Sequence, residues 1–146
     1  MEGRRTEAVV DSSVAVKWYS KEVDSELALQ VMDEHVNGTR VLWASDLLFH
    51  EVANALRHKS DYNEEKLNDA LEQLFNLELK TWAVDSRLMS KASTVAYTGD
   101  VTIYDAVPVA LAQLRGIVCI TADERSQYKR LKAHGFPVTL LSREYR

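Results

Sequence analysis

The sequence has few of the residues that cross-link, interrupt or anchor a chain. A single cysteine, Cys119, among 146 residues excludes an internal disulfide. Two prolines and five glycines are too few for a flexible linker, and a chain of this length predicts one domain over residues 1–146. No apolar run approaches the ~18 residues of a membrane span. No export signal follows the polar start, so a cytoplasmic protein without membrane contact is expected.

Basic residues are outnumbered by acidic ones. The chain has 18 Lys and Arg against 22 Asp and Glu, which gives a formal net charge of −4. Nucleic-acid-binding domains are usually basic. If the chain binds nucleic acid, local charge or bound cations must therefore provide the attraction.

What the sequence does contain is a regular alternation of short apolar runs and amphipathic stretches. Strands are predicted at residues 8–10, 40–44, 79–84, 117–121 and 136–141, and helices between them begin near residues 12, 25, 45, 63, 86, 102 and 124. This pattern predicts a three-layer α/β/α sandwich around a central, mainly parallel sheet of four to five strands. In such sheets, ligands bind beyond the carboxyl ends of the strands.

Acidic residues occur where that rule places a site. Asp11 closes the first strand, and Asp123 lies two residues past the apolar part of the fourth. Asp105 lies in the first turn of a helix, and Glu51 lies at the border of an apolar helix face. Each has an alternative structural role: Asp11 and Asp123 as helix N-caps, Asp105 in a capping box, and Glu51 as a solvated helix residue.

Four carboxylates in one cleft would repel one another unless cations were bound. Ligand sets made only of oxygen favour Mg²⁺ or Mn²⁺ over zinc. Two such ions can activate a water molecule and stabilise the leaving oxygen of a phosphodiester. Taken together, the four acids therefore indicate a phosphodiester-cleaving metal site.

Four short segments resemble the motifs of PIN domains, in the same order and over nearly the whole chain. They are Val-Val-Asp-Ser-Ser-Val at 9–14, Leu-Phe-His-Glu-Val-Ala-Asn-Ala-Leu at 48–56, Thr-Ile-Tyr-Asp-Ala at 102–106, and Ile-Thr-Ala-Asp at 120–123. In length and motif character the chain is most similar to VapC-like toxins of toxin–antitoxin pairs.

The resemblance implies an Mg²⁺- or Mn²⁺-dependent endoribonuclease, usually dimeric, that is inhibited by a cognate antitoxin. It implies that Asp11, Glu51, Asp105 and Asp123 hold the metal, with two ions expected. Hydroxyl groups that orient these ligands would come from Ser12, Ser13 and Thr121. Cations that could contact RNA phosphates are Lys17, Arg57 and Arg125. Pro108 departs from a regular helix and predicts a kink next to Asp105.

Three alternatives stay open at this point. The first is a PIN nuclease of RNA maturation or decay that has no antitoxin. The second is a receiver-like signalling domain, although Asp11 is followed by serines instead of a second acid. The third is a catalytically inert PIN-like binding module, which would be expected to have lost some of its acidic ligands.

Overall fold

The computed structural model describes residues 6–145, so most of the polar start that was interpreted as lacking an export signal lies outside it. The strands are β1 (Thr6–Val10), β2 (Arg40–Ser45), β3 (Lys80–Trp82), β4 (Val118–Thr121) and β5 (Val138–Leu140). The helices are α1 (Ser12–Ala15), α2 (Ser25–Val36), α3 (Leu47–Arg57), α4 (Glu64–Asn76), α5 (Ser86–Gly99), α6 (Ile103–Arg115) and α7 (Lys129–Ala133). None of the helices in residues 6–145 combines the length and apolar character needed to cross a bilayer.

All five strands are parallel and lie in the order β3-β2-β1-β4-β5. Successive side chains of a strand point to opposite faces. Ala8 and Val10 accordingly pack into one core with α1 to α4, whereas Val9 packs into a second core with α5 to α7. The predicted three-layer α/β/α architecture with a parallel sheet is confirmed.

The strand order determines where a ligand can bind. The chain adds β2 and β3 on one side of β1 and then crosses to add β4 and β5 on the other side. The crevice of an open parallel sheet lies at this reversal, between the carboxyl ends of β1 and β4. The order also differs from the 2-1-3-4-5 order of the flavodoxin-like fold that receiver domains share, which argues against the receiver-like alternative.

Several elements differ in detail from the prediction. The first helix changes at Val16–Trp18 into a tighter 3₁₀ turn. The segment predicted as a regular helix from residue 124 begins instead with a π-helical turn, Glu124–Tyr128. Helix α5 includes Gly99, although glycine commonly ends a helix, and it ends where Asp100 adopts a left-handed conformation with φ of 55°. Helix α6 runs without interruption through Pro108.

Gly99 lies at a close contact between α5 and α7. A methyl group at this position would approach Cδ2 of the fully buried Leu131 to 2.4 Å. We expect Gly99→Ala to destabilise the fold by about 1–3 kcal/mol because the packed core must shift to admit it, although alanine normally favours a helix. Urea unfolding measures this, with the exposed neighbour Thr98→Ala as the control. Equal stability of the two variants would contradict the close contact.

Candidate active site

Asp11 and Asp123 lie at the reversal of strand order. The Asp11 amide donates to the Ile120 carbonyl at 3.0 Å, which extends the contact between β1 and β4 by one residue beyond Val10. Asp123 follows Thr121, the last residue of β4, by two positions. The sequence analysis expected both acids, which are distant in sequence, at one edge of the sheet, and the structure adds that the strands that carry them are neighbours.

Asp11 is held by hydrogen bonds to both of its carboxylate oxygens. The Ser13 amide and hydroxyl donate to Oδ2 at 3.0 and 2.5 Å, and the Gln127 Nε2 donates to Oδ1 at 3.3 Å. Only 6% of Asp11 is exposed. Burial raises the pKa of Asp11, these hydrogen bonds lower it, and the charge of Asp123 raises it further. Asp11 also serves as the N-cap of α1. The same residue therefore caps a helix and lies at the crevice.

Gln127 connects three parts of the site and is fully buried. Its Nε2 donates to the Asp11 carboxylate and, at 2.9 Å, to the backbone carbonyl of Asp105. Its Oε1 accepts a short hydrogen bond from the Thr121 hydroxyl. One amide side chain in the π-helical turn therefore joins the ends of β1 and β4 to the start of α6.

The Ser13 and Thr121 hydroxyls each donate to one acceptor in this network. The Ser13 hydroxyl gives its proton to Asp11 and accepts from the Ala122 amide at 2.9 Å. The Thr121 hydroxyl gives its proton to Gln127 and accepts from the Asp123 amide at 3.0 Å. Since a hydroxyl has one proton to donate, the 3.3 Å contact between Ser13 and Thr121 is a packing contact. Ser13 and Thr121 therefore link Asp11, Gln127 and the backbone of residues 122 and 123.

Glu51 and Asp105 lie close enough to Asp11 to interact with its charge. Burial, followed by the charges of Asp11 and Asp105, raises the pKa of Glu51 to about 7, and hydrogen bonding to the Ser12 hydroxyl partly offsets the shift. Burial, followed by the charges of Asp11 and Asp123, raises the pKa of Asp105 to about 6. The four predicted acids thus form one electrostatically coupled group.

The same acids do not form a closed metal cage. In the part of the chain that the structure describes, no three His, Cys, Asp or Glu side chains are close enough together to hold one ion. Asp123 directs its two carboxylate oxygens to the amide and hydroxyl of Ser126, at 3.0 and 2.5 Å, and so caps the π-helical turn. The carboxylates influence one another through charge, whereas their oxygens point to separate partners.

The raised pKa values predict how the stability of the metal-free protein depends on pH. The folded chain keeps protons on Glu51 and Asp105 at pH values where the unfolded chain has lost them. This contribution to the free energy of unfolding is present at pH 4 and is lost as the pH rises to about 7. Thermal unfolding in EDTA between pH 4.5 and 8 measures it, and Glu51→Gln should flatten the upper part of the curve. An unchanged slope in that variant would contradict the assignment.

The three cations proposed to contact RNA occupy different environments. Lys17 is half-buried and already has partners in the fold, since its Nζ donates to the Val23 carbonyl at 2.8 Å and lies 3.8 Å from Glu22. Arg57 is exposed at the end of α3, where it lines a cavity of about 510 Å³ that none of the four acids lines. Arg125 is exposed in the π-helical turn, two residues beyond Asp123.

The sequence analysis missed Gln127. A single glutamine within a predicted amphipathic helix carries no periodic or motif signal. Its role depends on a π-helical turn, in which the Tyr128 amide donates to the Asp123 carbonyl five residues earlier at 3.0 Å. Only the folded chain brings it to Asp11, from which it is separated by 116 positions.

Comparison with solved structures shows similar folds. Among solved structures, the fold is similar to PAE2754 from Pyrobaculum aerophilum (18% identity, TM-score 0.68, covering 94% of this chain and 85% of that one). It is also similar to Mycobacterium tuberculosis VapC20, described as a sarcin-ricin loop cleaving toxin (16%, 0.68, 88% and 95%). A third is VapBC2 from Rickettsia felis, bound to a promoter DNA fragment (11%, 0.67, 92% and 98%). At these identities the likeness concerns the fold.

No curated protein matches the sequence. The family model described as PIN domain matches residues 8–133, a range that contains all four acidic motifs. This confirms the resemblance on which the sequence analysis depended. The chain therefore belongs to the PIN-domain family.

Proposed function

We propose that this protein is a divalent-cation-dependent endoribonuclease and the toxin of a toxin–antitoxin pair. The observation that carries the proposal is the group of four acids at the β1–β4 crevice. Within residues 6–145, none of Asp11, Glu51, Asp105 and Asp123 forms a salt bridge with a Lys or Arg side chain. Neighbouring acids raise the pKa values of Asp11, Glu51 and Asp105, and a group of carboxylates without a basic partner among the described residues suits bound cations.

The donor set fits Mg²⁺ or Mn²⁺, since all four side chains offer carboxylate oxygens. Asp11 would be the fixed ligand, because Ser13 and Gln127 hold it in place. Glu51, Asp105 and Asp123 are only partly buried and would rotate toward Asp11, with Asp123 releasing Ser126. When bound, one or two ions would supply an activated water and stabilise the leaving oxygen of the phosphodiester.

The acidic composition is compatible with an RNA substrate. Divalent ions held at the crevice would reverse its local charge and attract phosphate, and the exposed Arg125 adds a cation two residues beyond Asp123. The similarity in fold to proteins described as a toxin–antitoxin complex and as a sarcin-ricin loop cleaving toxin supports RNA cleavage. It also supports inhibition by a cognate antitoxin. The proposal further includes a cytoplasmic location and a homodimer, the latter implied by the resemblance to VapC-like toxins.

The proposal predicts that RNA cleavage depends on a divalent cation. The purified protein should cleave single-stranded RNA with Mg²⁺ or Mn²⁺, stop in excess EDTA, and resume when the cation is restored. Gel analysis of a labelled RNA together with calorimetric Mn²⁺ titration measures both activity and binding. Cleavage that continues in chelator would contradict a metal mechanism, and a chain that binds no Mn²⁺ would be an inert PIN-like module.

A further inference from the structure

The segment from residue 125 to residue 143 differs in charge from the rest of the chain. It contains five of the 18 Lys and Arg residues and none of the 22 Asp and Glu residues. The remainder of the chain therefore has 13 basic residues against 22 acidic ones. A positive segment on an acidic protein creates a local potential that attracts phosphate. It begins two residues after Asp123 and so continues directly from the carboxylate crevice.

Three of these cations share one side of the π-helical turn and α7. Arg125, Lys129 and Lys132 are exposed and lie four and three residues apart, spacings that place helical side chains on one face. Gln127 and Leu131, both fully buried, form the inner side of the same segment. In the described part of the chain none of the three cations forms an ion pair. We call Arg125, Lys129 and Lys132 the cationic stripe.

A fourth cation of the segment, Arg130, is already used by the fold. Its Nη1 donates to the backbone carbonyl of Asp100 at 2.6 Å and to the Asp100 carboxylate at 3.2 Å. This pairing ties α7 to the loop between α5 and α6. Arg130 thus has a structural role, unlike the three cations of the stripe, which form no ion pair among residues 6–145.

The fifth cation, Arg143, pairs with an aromatic ring next to the stripe. Its Nη1 donates to the Tyr128 hydroxyl at 3.0 Å, and its guanidinium carbon lies 5.5 Å from the centre of the ring. Tyr128 is half-buried and lies in the π-helical turn between Arg125 and Lys129. Aromatic rings and guanidinium planes are the groups on which unpaired bases stack.

We propose that the cationic stripe and the Tyr128–Arg143 pair bind the single-stranded RNA that extends from the crevice. This inference rests on the proposed function and names the surface that holds its substrate. The stripe would bind successive phosphates, and Tyr128 with Arg143 would stack against a base. The stripe alone could bind an acidic protein. The Tyr128–Arg143 pair beside it can also stack against a base, so the surface as a whole favours single-stranded RNA.

RNA binding by full-length variants in an Asp11→Asn background tests the proposal without cleavage. In the stripe variant, Arg125→Gln, Lys129→Gln and Lys132→Gln are combined. The control variant combines Lys21→Gln, Lys80→Gln and Lys91→Gln, three exposed residues with the same total charge change. Fluorescence anisotropy with a labelled oligoribonucleotide should show about tenfold or greater weakening for the stripe variant alone. The slope of log Kd against log salt should fall by about two, because each phosphate contact on a single strand contributes roughly 0.7.

The outcomes separate this proposal from the proposed function. If the Asp11→Asn parent binds no RNA, the stripe is overturned, whereas the proposed function is decided separately by cation-dependent cleavage in the wild-type protein. If the parent binds RNA and the two triple variants bind equally well, only the stripe is overturned. Polyglutamate that competes as well as RNA of equal charge would assign the surface to an acidic protein and overturn the proposal.

Stacking at Tyr128 has a separate readout. Tyr128→Leu should weaken binding of the oligoribonucleotide about tenfold and leave binding of an abasic oligomer of the same length unchanged. Equal weakening for both oligomers would overturn the stacking role, since a purely structural effect of the substitution would not distinguish them.

Discussion

Replacing Asp11 with asparagine is expected to abolish Mn²⁺ binding and to lower RNA cleavage at least about a hundredfold, since even residues that only orient metal ligands contribute 10–100-fold. Asparagine keeps the volume of the side chain but removes its charge. The substitution also replaces one carboxylate oxygen, which accepts hydrogen bonds, with an amide nitrogen, which does not. Ser13 and Gln127 donate to different oxygens of Asp11, so one of the two loses its acceptor. Calorimetric titration and a cleavage assay measure the two losses.

The same substitution should not destabilise the metal-free protein at neutral pH. Burial raises the pKa of Asp11, which means that its ionised form is disfavoured in the folded state. Removing that charge offsets the lost hydrogen bond, so the Tm in EDTA should stay equal or rise. With Mn²⁺ present, wild type should gain Tm and the variant should not. A variant that cleaves as fast as wild type would overturn the site assignment.

Gln127→Met should weaken Mn²⁺ binding about 10- to 100-fold, the usual effect of removing a group that orients a metal ligand. Methionine has a similar length and fills the same buried space. It cannot donate to Asp11 or to the Asp105 carbonyl, and it accepts the Thr121 hydroxyl only weakly. Because the carboxylates remain, saturating Mn²⁺ should restore much of the cleavage rate, which distinguishes this variant from Asp11→Asn.

A matched control separates positioning from simple loss of stability. Leu131→Val removes buried volume four residues further along and should destabilise the fold by about 1 kcal/mol, without touching the site. Both variants are compared well below their Tm, with circular dichroism to confirm folding. If Leu131→Val weakens Mn²⁺ binding as much as Gln127→Met does, Gln127 has no specific role in orienting Asp11.

Local patterns were sufficient to predict the parallel sheet and the four acids at its edge. The apolar runs before Asp11 and Asp123 mark buried strands, and parallel strands bring their carboxyl ends to one edge. The Asn63 and Thr102 helix caps were also predictable, since each depends on a bond within three residues, to the amides of Lys66 and Asp105. These features depend on residues a few positions apart or on strand direction alone.

The end of α5 and the environment of Lys17 were not predictable in this way. A glycine often ends a helix, but Gly99 lies within α5. Residue 99 must be small because Leu131 of α7 leaves no room for a side chain. Lys17 lies in a helical stretch next to the site motif, and only the folding of the following loop brings Val23 and Glu22 to its ammonium group. Both outcomes depend on neighbours that periodicity does not reveal.

By itself, the sequence determined the layers of the fold, the parallel strands and the acidic residues at their ends, because hydrophobic period, capping and strand direction act locally. Only the tertiary structure decided that β1 and β4 are adjacent and that Gln127 joins Asp11 to Asp105 and Thr121. It also decided that Arg130 forms an ion pair, whereas Arg125, Lys129 and Lys132 form none within the described residues. The physical reason is that these contacts join residues distant along the chain. Their free energy comes from packing and hydrogen bonding between elements, which no short stretch of sequence encodes.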